Sequence, residues 1–208
     1  MKKILIIVNG EFIGKKILNR YVTDIDTYEI IAIDGGANLC LKYDLYPDYI
    51  IGDIDSVKKK NLYRFKKSEL VFRKNQEYTD FEKTLQFVKK LSPDSIKILS
   101  MSGKRTDHFM GNMIALDNFQ YDKPIMIYDK LGKMIILNPG KHVIRGKSGQ
   151  IFSLFAFRTL KGLTLQNCKY EINNKNYEHQ FLGISNEMTE KEFIVEFQQG
   201  KLFVYLVF

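Results

Sequence analysis

Ile4-Leu5-Ile6-Ile7-Val8, stopped by Asn9-Gly10-Glu11, is the first of a series of short apolar runs that alternate with amphipathic stretches up to about Asn138. That rhythm confines the first part of the chain to an α/β sheet with crossover helices. The expected strands are Ile4–Val8, Glu29–Ile33, Tyr49–Ile51, Leu70–Phe72, Ile96–Ser100 and Ile125–Tyr128. The clearest helix is Asp80–Leu91, where Phe81, Leu85 and Val88 recur at spacings of four and three and so share a face. Thr79-Asp80-Phe81-Glu82 supplies a capping-box pattern at its start, and a second helix is expected from near Asp107 to Phe119. Beyond Pro139-Gly140 the helical period fades, and Ile151–Phe157, Leu163–Ile172 and Glu192–Phe197 read as strands of a small all-β domain. Phe193–Phe197 and Leu202–Phe208 around Gln198-Gln199-Gly200-Lys201 predict a hairpin. The expected division is therefore 1–138 and 139–208, with no flexible linker between the two parts.

Hydrophobic residues at 45% and charged residues at 27% suit a folded globular protein of 208 residues. Met1-Lys2-Lys3 before the first apolar run has the polarity of a secretory signal, but five residues fall short of the roughly 7–15 that such a core requires. No stretch approaches the ~18–20 apolar residues needed to cross a bilayer. Cys40 and Cys168 are too few and too far apart for a disulfide framework or a zinc site, so a reducing cytoplasm is expected. The net charge of +8 raises the question of nucleic acid, yet the lysines are dispersed. Their densest run, Lys58-Lys59-Lys60 with Arg64, Lys66 and Lys67, reads as a solvated helix face. Such a charge also attracts any polyphosphate.

Ligands of open α/β sheets bind beyond the carboxyl ends of the strands, and there aspartate recurs. Ile33 is followed by Asp34-Gly35-Gly36-Ala37-Asn38, and Ile51 by Gly52-Asp53-Ile54-Asp55-Ser56. Asp80 opens the clear helix, and Asp107 follows the glycine loop after Ile96–Ser100. Two residues apart in extended chain, Asp53 and Asp55 point to one side, an arrangement that suits a hard cation such as magnesium but also occurs in structural turns and in metal-dependent glycosyltransferases. Gly35 and Gly36 either permit a tight turn or let backbone amides approach a phosphate at the next helix start. Asp80 alone is equally a favourable charge at a helix N-terminus. Ser102-Gly103-Lys104-Arg105-Thr106-Asp107-His108 gathers two cations, a carboxylate and an imidazole in seven residues, a mixture suited to phosphate. His108 by itself is a candidate for a structural hydrogen bond as much as for proton transfer.

In order, Asp34-Gly35-Gly36-Ala37-Asn38, Pro47 with Gly52-Asp53-Ile54-Asp55-Ser56, Thr79-Asp80-Phe81-Glu82-Lys83, Gly103-Lys104-Arg105-Thr106-Asp107-His108 with Gly111-Asn112, and Ser185-Asn186-Glu187 resemble the thiamine pyrophosphokinase family over most of the chain. The resemblance implies a Rossmann-like N-terminal α/β domain with a mostly parallel sheet that binds ATP, followed by a C-terminal β-sandwich for thiamine binding and dimerisation. It implies transfer of the diphosphate of ATP to the thiamine hydroxyl with Mg2+, in a cytoplasmic homodimer with active sites between subunits and with no nucleic-acid or membrane partner. Asp53, Asp55 and Asp80 match the metal-binding acids, and Asp34 and Asp107 match other acids of the catalytic region. Arg105, Lys104 and Lys83 are then expected on the phosphates or the departing AMP. Gly35, Gly36, Asn38, Ser56, Thr79, Gly103 and His108 fall in the nucleotide-binding segments, and Ser185 with Asn186 near thiamine. Two departures stand out. Ile54 replaces a phenylalanine, and Lys104 replaces a second glycine, so the loop must avoid a positive φ at Lys104 or accept strain. With no tryptophan in the chain, Phe203 is the expected stacking partner of thiamine, or else a core residue. The rival readings are a sugar-nucleotide glycosyltransferase, a diphosphokinase of a different hydroxymethyl heterocycle, and a noncatalytic nucleic-acid-binding module.

Overall fold

The computed structural model describes residues 1–52, 57, 61, 63–71 and 77–208. It divides into two compact units, Met1–Lys130 and Leu131–Phe208. In the first unit β1 (Lys3–Ile7), β2 (Tyr28–Ile33), β3 (Tyr49–Ile51), β4 (Glu69–Val71), β5 (Ser95–Leu99) and β6 (Ile125–Tyr128) lie in the order β6-β5-β1-β2-β3-β4. Each of these pairings is parallel. Ile4 to Ile7 are fully buried, because a central parallel strand is covered on both faces and reads as a continuous apolar run. The helices are α1 (Lys15–Tyr21), α2 (Gly36–Tyr43), α3 (Asp80–Leu91) and α4 (Thr106–Asn118).

Local chemistry explains where these helices start and stop. At α3 the Thr79 hydroxyl accepts from the Glu82 amide at 3.2 Å while the Glu82 carboxylate accepts from the Thr79 amide at 2.8 Å, completing the capping box. Phe81, Leu85 and Val88 are buried, as the spacing predicts, and Ser92 ends the helix in the left-handed region. The α2 residues Ala37, Leu39, Cys40 and Tyr43 pack with Leu5, Ile7 and Ala32 of the sheet. Between β4 and β5 the chain returns to the other side of β1, so successive strands progress in opposite directions from the centre. Such a reversal opens a crevice beyond the carboxyl ends of the central strands.

The second unit is entirely β: β7 (Gly132–Leu137), β8 (Gly140–Arg145), β9 (Ile151–Ala156), β10 (Leu160–Gln166), β11 (Ile172–Tyr177), β12 (Phe181–Glu187), β13 (Glu192–Phe197) and β14 (Leu202–Val207). They form two antiparallel arrays, β12-β9-β14-β7 and β11-β10-β13-β8. Leu154, Leu202, Val204 and Leu206 of one array and Leu163, Leu165, Val195 and Phe197 of the other share one core. The Phe152 and Phe193 rings stack across it with centroids 4.1 Å apart.

The first compact unit ends at Lys130, eight residues before the expected boundary at 138, and β7 falls in the second unit. Two strand expectations are corrected here. The expected final hairpin does not form: β13 pairs with β8 and β10, whereas β14 pairs with β7 and β9. Residues 198–201 therefore carry the chain from one array to the other. Leu163–Ile172 is likewise not one strand, because Asn167 has φ 62 and the chain turns between β10 and β11. The lysine run Lys58–Lys60 lies outside the described residues, and Tyr63–Phe65 beside it is a 3-10 turn. Among the described residues no helix is long and apolar enough to cross a membrane. Cys40 and Cys168 are buried free thiols, and burial pushes both up from the ordinary thiol range.

Candidate active site

A cleft of about 520 Å³ opens beyond the carboxyl ends of β1, β2 and β5, a volume in the usual range for small-ligand sites. Val8, Asn9 and Gly10 follow β1, Ile33 and Asp34 end β2, and Met101 follows β5. Thr79, Asp80 and Phe81 enter from the start of α3, and Lys104, Arg105, Asp107, His108, Gly111 and Asn112 from the start of α4. The crossover topology therefore brings two helix N-termini and three strand ends to one place, and both dipole ends favour an anion there.

Gly52 ties the acidic side of this cleft together. Its φ of 128 belongs to a region that L side chains rarely adopt. A side chain there would begin 3.0 Å from Asp80 Oδ2 and 3.2 Å from the Asp34 Cβ. Asp34 and Asp80 thus flank the residue that immediately precedes Asp53. Asp34 is itself left-handed, with φ 47, and its amide donates to the Ile51 carbonyl at 2.9 Å, which anchors β2 to β3 at the cleft floor. The second oxygen of Asp80, Oδ1, accepts from Lys83 Nζ at 3.0 Å. The Lys83 side chain is only 9% exposed against 29% for Asp80. Lys83, expected on the phosphates, therefore does not line the cleft and instead braces Asp80 from below. A buried ammonium requires such a partner.

On the opposite side Arg105 makes a two-pronged pair with Asp107, Nε to Oδ1 at 3.1 Å and a terminal nitrogen to Oδ2 at 2.5 Å. The Arg105 guanidinium holds the Asp107 carboxyl at about 2, well below its ordinary range, with a smaller contribution from the His108 amide. The same contact raises Arg105 further. Asp107 is for that reason a weak proton acceptor. Lys104 avoids the strain anticipated for it, because Gly103 takes the positive φ of 89. The loop is supported from behind by a buried network in which Tyr43 Oη accepts from the Ile13 amide at 3.1 Å and bonds Ser100 Oγ at 2.9 Å. Burial pushes the Tyr43 phenol up.

Of the expected site residues, Asp34, Thr79, Asp80, Lys104, Arg105, Asp107 and His108 line the cleft, whereas Gly35, Gly36, Asn38 and Gly103 are not part of its lining. Gly36 is glycine because a Cβ would lie 2.2 Å from the Ile7 carbonyl oxygen, so the α2 start can press on β1. Asn38 is turned to the helix start, donating to the Gly35 carbonyl at 3.3 Å and accepting from Asn61 at 3.0 Å. Thr79 lines the cleft, although its hydroxyl and amide both serve the capping box. Asp53, Asp55 and Ser56 lie outside the described residues. Among the described residues no three acidic, histidine or cysteine side chains gather as a metal site.

In the second unit Asn186 is buried and its amide is fully engaged: Oδ1 accepts from the Tyr170 and Glu187 amides at 3.0 and 2.8 Å, and Nδ2 donates to the Tyr170 carbonyl at 2.9 Å. It fixes the turn before β11. Its neighbour Ser185 is exposed with φ 58, at the irregularity where the β12–β9 register shifts. Phe203 is fully buried, edge-on to Phe157 at 5.1 Å, which is the core alternative for this residue. Phe157, 43% exposed, is the ring of that pair presented to solvent. Sequence reading gives Asn9 and Gly10 only as the stop of the first strand and Gly52 only as part of an acidic motif; the available signal for a site role is the Asn-Gly step directly after the apolar first strand.

The thiamin pyrophosphokinase catalytic-domain model matches residues 25–128, and the vitamin B1 binding-domain model of the same enzymes matches residues 141–202. The chain belongs to the thiamine pyrophosphokinase family. A family member from Bacillus subtilis (strain 168), described as thiamine pyrophosphokinase, is 29% identical over 182 residues, covering 83% of this chain and 84% of that protein. The crystal structure of the thiamine pyrophosphokinase from Bacillus subtilis superposes with a TM-score of 0.84 at 26% identity, covering 99% of each chain. The thiamin pyrophosphokinase of Candida albicans has the same fold, with a TM-score of 0.81 at 19% identity, over 99% of this chain and 89% of that one. As a member of this family of transferases, the chain is an enzyme of thiamine diphosphate formation, and the glycosyltransferase and nucleic-acid readings are set aside.

Proposed function

We propose that this chain transfers the diphosphate of ATP to the hydroxyl of thiamine, releasing AMP and thiamine diphosphate. The observation that carries this beyond family membership is the opposition within one cleft of carboxylates, Asp34 and Asp80, to cations, Lys104 and Arg105, at the reversal point of a parallel sheet. The parallel order supports a Rossmann-like reading of the first unit, with the triphosphate at the starts of α3 and α4. In the reaction the thiamine hydroxyl oxygen attacks the β-phosphorus in line, the bond from that phosphorus to the α-phosphate bridging oxygen breaks, and the hydroxyl proton passes to a base. Positioning and electrostatics supply most of the acceleration for such a transfer.

Asp80 is the better candidate to orient the hydroxyl and accept its proton, because Lys83 holds only its Oδ1, whereas Arg105 grips both oxygens of Asp107. Arg105 and Lys104 steady the departing AMP or the transferred group. The Asp80 carboxylate oxygen beside Gly52 suits magnesium, with Asp80, Asp53 and Asp55 as its holders, and bound magnesium would screen the phosphate charge. Lys83 acts through Asp80. Ser185 is better placed than Asn186 to meet thiamine, because the Asn186 amide is committed to the backbone. Leu182 and Ile184, 62% and 61% exposed on the edge strand β12, support a homodimer, which sedimentation at micromolar concentration tests. The two reduced cysteines support a cytoplasmic setting. Incubation with ATP, magnesium and thiamine, followed by separation of nucleotides, tests the reaction: AMP with thiamine diphosphate is expected, and ADP with a monophosphate ester would refute the reaction type.

A further inference from the structure

Lys104 lies in the loop before α4, and its side chain is not left to wander. Lys104 Nζ donates to Asn9 Oδ1 at 2.9 Å, across 95 residues of sequence. Asn9 itself is fixed from both sides. The Val8, Gly10 and Glu11 amides donate to the carbonyls of Leu99, Ser100 and Ser102 at 3.0, 2.7 and 2.8 Å, lacing the segment after β1 onto the one after β5. That approach excludes any side chain at Gly10, whose Cβ would lie 2.1 Å from the Ser100 carbonyl oxygen. On its other flank the Asn9 amide nitrogen lies 2.3 Å from the point where a Gly35 Cβ would sit. The Asn9 side chain therefore spans the gap between the turn that starts α2 and the loop that starts α4, and both Asn9 and Lys104 line the cleft.

The partner's charge is the decisive feature. Lys83 is paired with Asp80, Arg105 with Asp107, and Lys130 with Glu11. Each of those cations shares its field with the carboxylate it holds. Asn9 is a neutral acceptor, so it orients the Lys104 ammonium without neutralising it and leaves further N–H donors for phosphate oxygens. It also lowers the ordering cost that a long, exposed lysine side chain incurs when it binds. We propose that Asn9 is a positioning residue that docks Lys104 as an uncancelled phosphate-binding cation. The proposal rests on the reading of the cleft as the ATP site.

The test is a double-variant cycle read by calorimetric binding of ATP and of inorganic tripolyphosphate to the full chain. Asn9→Ala should weaken both ligands about fivefold and Lys104→Ala about tenfold, with the double variant no weaker than Lys104→Ala alone. Asn9→Asp should bind more weakly than Asn9→Ala, because a carboxylate would hold Lys104 but cancel it. Melting temperatures should stay within a few degrees of the parent. Losses that simply multiply in the double variant, or an Asn9→Asp variant that binds like the parent, would overturn the proposal. Parent protein that binds ATP yet forms no thiamine diphosphate would refute the reaction and leave this cycle readable, whereas parent protein that binds neither ligand would overturn both.

Discussion

Single side chains in this cleft are defined by what they are paired with more than by what they are. Asp80 and Asp107 are both carboxylates at helix starts, yet one presents an oxygen toward Gly52 and the other is clasped by Arg105. With its folded value depressed to about 2, Asp107 contributes its pairing at all pH above the usual carboxylate range and loses it only as pH falls through about 2. An acid limb of the pH–rate profile between about pH 5 and 7 thus belongs to other groups. Asp107→Asn should lower kcat/KM without moving that limb, and a limb displaced by a unit or more in the variant would contradict the pairing. Lys83→Met removes the brace under Asp80 and leaves its carboxylate uncompensated. Because Asp80 is 29% exposed, the expected loss is roughly 1–3 kcal/mol, below that for a fully buried pair, and it should appear as a lower melting temperature together with a larger fall in turnover.

Elements matter here through their ends. The amphipathic period of α3 fixes its rotation on the sheet, but Asp80 reaches the cleft only because the helix begins at Thr79. Two reciprocal hydrogen bonds set that start. Thr79→Ala should destabilise the protein by about 1 kcal/mol, measured by denaturant unfolding. Glu82→Ala removes the same box, so the pair of substitutions together should cost little more than one; full additivity would show that the box is not the unit. The loop before α4 has no comparable cap from its own side chains, since Arg105 occupies the cap position without a side-chain bond. Its shape comes instead from the lacing of residues 8–11 onto residues 99–102.

At the scale of the whole molecule, a parallel α/β unit and an antiparallel two-layer unit are joined in a chain of net charge +8. The described cations near the cleft are mostly paired, so the excess acts as a diffuse field and not as a binding patch. Such a field speeds the arrival of a polyphosphate and is screened over about 8–10 Å at ordinary ionic strength. Raising salt from about 50 to 300 mM should therefore lower kcat/KM for ATP severalfold while leaving kcat nearly unchanged; a salt-independent kcat/KM would remove steering as a role for the charge.

The sequence alone determined the features set over short distances: the buried central strand, the extent of α3 and its capping box, the change to all-β texture, and the ordered acidic and cationic motifs of the family. It misread β13 and β14 as a hairpin because an alternating apolar pattern is the same whether two strands pair with each other or with partners in different layers. Asn9, Gly52 and the true place of Lys83 were hidden for a related reason. Whether an amide meets a lysine 95 residues away, or an ammonium turns inward to a neighbouring carboxylate, depends on which backbone segments pack within a few ångströms, and only the tertiary structure decides that.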